Sequence, residues 1–124
     1  MSQLNTSVAS INELVSAYAR AASLHGAASS KGDYRAANTQ YNILSRIYRE
    51  LRTRGAEAQH ELLSLLDSPD VGVKLWAASH ALEFAPTAGE PVLEALSRSS
   101  QIGISKLTAE TTLKEWKKGS LKFP

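Results

Sequence analysis

The side chains that could ligate a metal or shuttle a proton are three histidines, His25, His60 and His80. No two of them have the i, i+4 spacing that would bring both to one metal on a helix face. His60 is followed by Glu61, but neighbouring helical side chains diverge by about 100°, a poor geometry for joint chelation. His80 falls on the side of its helix shared by Trp76 and Phe84, where a core or boundary histidine is favoured over a ligand. The chain has no cysteine, so thiolate metal sites and disulfides are excluded. The carboxylate pairs Glu57/Glu61 and Glu90/Glu94 share a face at i, i+4. Both sit near the first turns of short helices, where negative charge suits the dipole. A solvated face is favoured there over acid–base work. Glycines are scattered at turns without forming a phosphate loop, and no serine stands in a Gly-x-Ser-x-Gly elbow. No catalytic residue, metal or cofactor is expected, and the chain reads as non-enzymatic.

One constellation remains. Arg35, Asn38, Asn42, Arg46 and Arg49 gather on one side of a helix whose other side is apolar. Lys114, Lys117 and Lys118, with Lys122, would extend this surface if they lie nearby. Such a face can anchor an acidic protein surface or sit over phosphates. Tyr34, Tyr41 and Tyr48 are expected toward the buried side, out of reach for base stacking. Protein is therefore expected as the partner ahead of nucleic acid.

Charge is unevenly placed. Residues 34–54 hold five arginines and one glutamate, while residues 56–85 hold five acids and one lysine. The net charge is +2 over 124 residues, with 43% hydrophobic and 21% charged content. This is the composition of one globular domain with a real core. Its dipolar character weakens any nucleic-acid argument from the basic pI. The start Met1-Ser2-Gln3-Leu4-Asn5 lacks the basic and apolar runs of a secretory signal. No apolar window is long enough to cross a membrane. A cytoplasmic protein is expected.

The elements that position these residues are helical throughout. A first helix is expected from Thr6 or Ser7, with Val8, Ile11, Leu14, Val15, Tyr18 and Ala22 on one face and His25-Gly26 at its end. Ala27 to Gly32 reads as a connector. Asp33 caps a second helix to about Arg54, with Ala37, Tyr41, Leu44, Ile47, Tyr48 and Leu51 inward. Ala56 to Leu66 forms a shorter helix with Leu62, Leu63, Leu65 and Leu66 inward. The chain's core helix follows, with Asp67 or Ser68 as cap, Pro69 in its first turn and Pro86 as its stop. Val71, Leu75, Ala78 and Leu82 line one of its sides; Val73, Trp76, Ala77 and Phe84 line another. A helix so apolar around its girth is packed on both. Thr87 and Glu90 have the spacing of a capping box that opens a helix through about Leu96. Ser97 to Ser100 breaks it. The last helix is expected from about Ile102 to Lys118, burying Ala109, Leu113 and Trp116. Residues 120–124 read as an extended tail, with Phe123 tucked onto the domain. No stretch alternates as a strand does.

Shifted by 31 residues, the segment 56–118 matches itself. Leu62 falls on Leu93, Leu65 on Leu96, Val71 on Ile102, Val73 on Ile104, Ala78 on Ala109 and Leu82 on Leu113. A helical hairpin written twice points to a repeat stack, with the two helices of residues 1–55 supplying a further layer. Within it, Leu65-Leu66-Asp67-Ser68-Pro69-Asp70-Val71-Gly72-Val73-Lys74-Leu75-Trp76-Ala77-Ala78 resembles the inter-helix turn of a HEAT repeat. Lys74 stands where arginine is usual, and the second copy has Ser105 there. Tyr41-Asn42, Arg54-Gly55, that turn, Ala85-Pro86 and Leu113-Lys114-Glu115-Trp116-Lys117-Lys118-Gly119 together resemble a small bacterial family of HEAT-like proteins known only as a domain of unknown function. The resemblance spans residues 34 to 119 and implies no catalytic residues. Some small bacterial HEAT-like proteins are immunity proteins encoded beside a toxin, which makes a cognate toxin one expected partner.

The expectation is thus an all-α single domain of about six helices in a short HEAT- or armadillo-like stack. Its expected role is to bind a protein, as an immunity or adaptor protein. Nucleic-acid backbone binding through the basic helix face is the alternative.

Overall fold

A computed structural model describes residues 4–99 and 103–124. Six α-helices follow in order: α1 (Ile11–Ser30), α2 (Tyr34–Thr53), α3 (Ala56–His60), α4 (Val71–Phe84), α5 (Pro86–Ser97) and α6 (Ile104–Lys117). A 3-10 segment, Glu61–Asp67, links α3 to α4. The fold is all-α, without a strand among the described residues.

α1 starts later than its apolar periodicity suggests. Ser10 accepts from the Glu13 amide while Glu13 accepts from the Ser10 amide, so the reciprocal capping box sets the start there. Val8 is left outside, 77% exposed. α1 also ends later: Gly26 lies inside the helix, and the turn comes at Gly32, where φ is +74°. Residues 27–30 are helix rather than connector, and Ala28 is buried. The Asp33 cap on α2 is as expected, accepting from the Ala36 amide at 3.1 Å.

α4 is capped by Asp70 rather than by Asp67 or Ser68. One carboxylate oxygen of Asp70 accepts from the Val73 amide at 3.1 Å, and the other from Ser23 of α1 at 2.6 Å. Pro69 therefore precedes the helix. Both apolar sides of α4 are covered. Val73 and Ala77 join a cluster with Leu14, Tyr18, Leu44, Ile47, Tyr48 and Leu51 from α1 and α2, against which Trp76 and Phe84 pack. Leu75, Ala78 and Leu82 join a second cluster with Leu93, Ala109 and Leu113 from α5 and α6. α4 is the wall between two half-cores. Val71 is 45% exposed and belongs to neither.

Pro86 ends α4 and occupies the first turn of α5, where its missing N–H costs nothing. No capping box forms between Thr87 and Glu90, since α5 begins one residue before Thr87. The α3 region is less inward than expected. Leu62 is fully buried, but Leu63, Leu65 and Leu66 are only half-buried, because the 3-10 geometry rotates them off a single face. The tail folds back, with Leu121 and Phe123 packed on the second cluster. Trp116 is half-buried beside them.

The internal repeat survives at most positions. Leu62 and Leu93 are both fully buried, as are Ala78 and Ala109, and Leu82 and Leu113 are nearly so. Leu65 and Leu96 are both half-buried. Val73 is 4% exposed, but its counterpart Ile104 is 44% exposed, since α6 is the last helix and no later helix covers it among the described residues. Ile102, and with it the expected start of the last helix, lies outside the described residues.

Candidate protein-binding face and the aromatic row behind it

α2 sets out a polar stripe. At about 100° per residue, Arg35, Asn38, Asn42, Arg46 and Arg49 fall within an arc of about 80° and extend for roughly 21 Å. All five are exposed. Their opposite side is Ala37, Leu44, Ile47 and Leu51, buried against α1.

The five arginines of α2 and its C-terminal cap divide into two groups. Arg52 holds Glu83 of α4 through Nε at 3.1 Å and Nη2 at 2.7 Å, with its guanidinium over the Tyr48 ring. Arg54 pairs with Glu50 at 2.9 Å and donates to the Thr6 carbonyl at 2.9 Å. Arg35, Arg46 and Arg49 have no ion pair or hydrogen bond from their side chains among the described residues. The structure thus spends two arginines on the fold and leaves three to solvent. A groove of about 520 Å³ between α1 and α2 meets the stripe at Arg46. Ala17, Ala21, Leu24, Ile43 and Ile47 form its apolar floor, with Arg20 and Arg46 among its polar lining.

Lys114, Lys117 and Lys118 are all exposed on α6. α6 packs on α5 and α4, and α2 packs on α1 and, through Tyr48 and Arg52, on α4. The tyrosines depart from expectation. Tyr48 is fully buried, but Tyr41 is 38% and Tyr34 77% exposed. Tyr34 stands in the first turn of α2, and Tyr41 stands on the flank of the stripe.

Behind α2 an aromatic and polar row crosses the interior. Tyr18 and His80 share a hydrogen bond of 2.6 Å at Nδ1, and the imidazole stacks on Tyr48 with centroids 4.1 Å apart. Trp76 lies 5.5 Å from His80, and its indole N–H donates to His25 Nδ1 at 3.2 Å. Tyr48 donates to Glu83 at 2.5 Å and accepts from Gln59 at 3.1 Å. His80 is 3% exposed. Burial, and secondarily the Arg52 charge, push its pKa down to about 3, so the ring is neutral. Burial also raises Tyr18 far above the ordinary phenol value, with Tyr48 adding to it. Tyr48 is raised by burial and by its bond to Glu83. His80 is a core histidine, as its place beside Trp76 implied, but its tyrosine partners come from other helices and leave no spacing signal. His60 is exposed and bonds through Nδ1 to the Ala56 carbonyl at 2.8 Å. Among the described residues no three His, Asp or Glu side chains cluster as a metal site would require.

A helical scaffold with an exposed, unpaired arginine stripe on α2 and an aromatic and polar row inside defines an all-α protein. The chain belongs to the DUF2019 family, a domain of unknown function, whose model matches residues 12–115. It is also similar to the crystal structure of the protein RPA1889 from Rhodopseudomonas palustris CGA009. The TM-score is 0.87 at 24% identity, over 98% of this chain and 100% of that one. At that identity the likeness carries the fold alone. No curated protein matches the chain.

Proposed function

We propose that this chain is a non-enzymatic protein-binding module, built as a short HEAT-like stack, that works in the cytoplasm as an immunity or adaptor protein. Its contact surface is the α2 stripe, Arg35, Asn38, Asn42, Arg46 and Arg49. The supporting observation is the division of the arginines: Arg52 and Arg54 are held by the fold, and Arg35, Arg46 and Arg49 are not. The groove that Arg46 shares with Arg20 supplies an apolar patch beside these cations. Arginine is enriched among interface residues that dominate binding energy. The partner is accordingly a protein surface with acidic side chains around an apolar ridge, such as a cognate toxin.

Exposure of Tyr34 and Tyr41 favours a second reading, in which the stripe lies along a nucleic-acid backbone and the two rings meet bases. Salt dependence separates the two, since each phosphate contacted contributes nearly one unit to the slope of log K against log salt.

The test is the reversal of Arg35, Arg46 and Arg49 to Glu together. Circular dichroism and melting should stay near those of the parent, because exposed substitutions shift stability by under about 0.5 kcal/mol each. Recovery of the native partner in a quantitative pull-down, followed by titration of the purified pair, should show a loss of about 2 kcal/mol or more. Undiminished binding by the well-folded variant would remove the face from consideration. Attention would then pass to the lysines of α6 and the acidic surface of residues 56–85.

A further inference from the structure

The C-terminal tail crosses back over α4 and α6 and encloses a pocket of about 220 Å³ that the basic face does not share. Tyr41, Trp76 and Phe123 form aromatic walls, and Thr108 and Thr112 of α6 line it opposite α4. His80 also lines it, although only 3% of that residue is exposed. Its Nδ1 is taken by Tyr18, while Nε2 has no hydrogen-bond partner among the described residues. Nor is Nε2 sealed in the core: the buried side-chain polar atom without a partner among those residues is Ser45 Oγ. Nε2 therefore opens to the pocket.

The hydrogen-bond inventory decides what Nε2 presents. Tyr18 is fully buried, and its hydroxyl has His80 Nδ1 as its partner among the described residues. If Nδ1 carried the proton, the Tyr18 O–H hydrogen would be stranded in the core, at a cost comparable to a lost hydrogen bond. Tyr18 therefore donates to Nδ1, and the neutral imidazole carries its proton on Nε2. The pocket has a single fixed N–H donor deep within an aromatic lining.

We propose that this pocket binds a small, flat, uncharged molecule that bears a carbonyl acceptor. The acceptor meets His80 Nε2–H, and the flat body lies against Trp76 and Tyr41. Aromatic walls also suit cations, but a donor at depth and Lys122 in the lining repel one. A carboxylate could meet Lys122 only at the exposed rim; at His80 it would be stripped of water for one neutral donor, which costs more than it returns. Unlike the α2 face, this site needs no second protein.

Acetophenone is a suitable probe, with α-methylstyrene as its hydrocarbon isostere. Long-range ¹⁵N–¹H spectra read the His80 ring through its non-exchanging protons, so both tautomer and titration are measured on the unaltered protein. We expect the Nε2–H tautomer, and saturable shifts of His80 Nε2 and the Trp76 indole on adding acetophenone. α-Methylstyrene should move the Trp76 signals but leave Nε2 in place. Thr112→Phe, which fills the pocket from α6, should weaken acetophenone binding at least about tenfold while the melting curve is kept. An Nδ1–H tautomer would overturn the proposal. So would the absence of saturable shifts up to about 10 mM, within reach of a fragment of this size.

Discussion

Tyr18 Oη of α1 lies 2.6 Å from His80 Nδ1 of α4, at the centre of the half-core those helices share with α2. This bond joins the first helix to the core helix with a neutral, directional contact. It also explains how a histidine persists where a charged one would not.

The pH dependence follows from it. His80 has a folded pKa of about 3 against an ordinary value of 6.5, so the unfolded chain takes up a proton that the folded chain refuses. Its contribution to stability is complete above 6.5 and is lost as pH falls from there toward 3. The loss approaches about 1.4 kcal/mol per pH unit within that window. His25, lowered by partial burial, acts in the same direction. Urea unfolding at about pH 7 and pH 4.5 should show a clear fall in midpoint, and the His80 ring should not titrate in the neutral range. A His80 signal titrating at its ordinary value would contradict the structure.

Glycine substitutions should report the helix crossings. An added Cβ at Gly89 would come within 2.5 Å of the Ala78 carbonyl oxygen, and at Gly72 within 2.9 Å of that of Ala22. Alanine would raise helix propensity by up to about 1 kcal/mol at either site. The clash with backbone should outweigh that, for a net loss on the order of 1–3 kcal/mol. Gly103, the N-cap of α6 with no described atom within 4 Å of an added Cβ, is the control and should lose no more than the N-cap preference for glycine over alanine, about 1 kcal/mol. Chemical denaturation of the three variants decides this.

The repeat offers a paired comparison. Leu82→Ala should cost about 2–5 kcal/mol, since Leu82 is 4% exposed within the second half-core. Ile104→Ala should cost about 0.5 kcal/mol or less, since Ile104 is 44% exposed in the first turn of α6. Similar losses at the two positions would mean that α6 is covered in solution, for instance by a second copy.

Removing one hydroxyl should separate the structural arginines from the free ones. In Tyr48→Phe the buried Gln59 amide loses its acceptor and Glu83 loses a donor. A destabilisation of about 1–3 kcal/mol is expected. Arg49→Ala, one residue along but on the open stripe, should leave the denaturation midpoint almost unchanged.

The 3.6-residue period, Asp33 and the glycines after α2 and α6 determined the helices. The same period determined that α4 is covered on two sides, that α2 turns five polar residues to solvent, and that His80 lies with Trp76 in the interior. These properties are local, since each concerns how one helix divides between oil and water. Tertiary structure alone decided where α1 ends. Gly26 looks like a helix stop, yet it stands inside α1, where its would-be Cβ lies 3.3 Å from Gly72 of α4 at a close helix crossing. It also decided that Tyr34 and Tyr41 emerge and that Tyr18 meets His80 across 62 residues of chain. A helical period says which way a side chain points from its own axis. What it meets there is set by the placement of other helices, and no residue spacing within one helix carries that information.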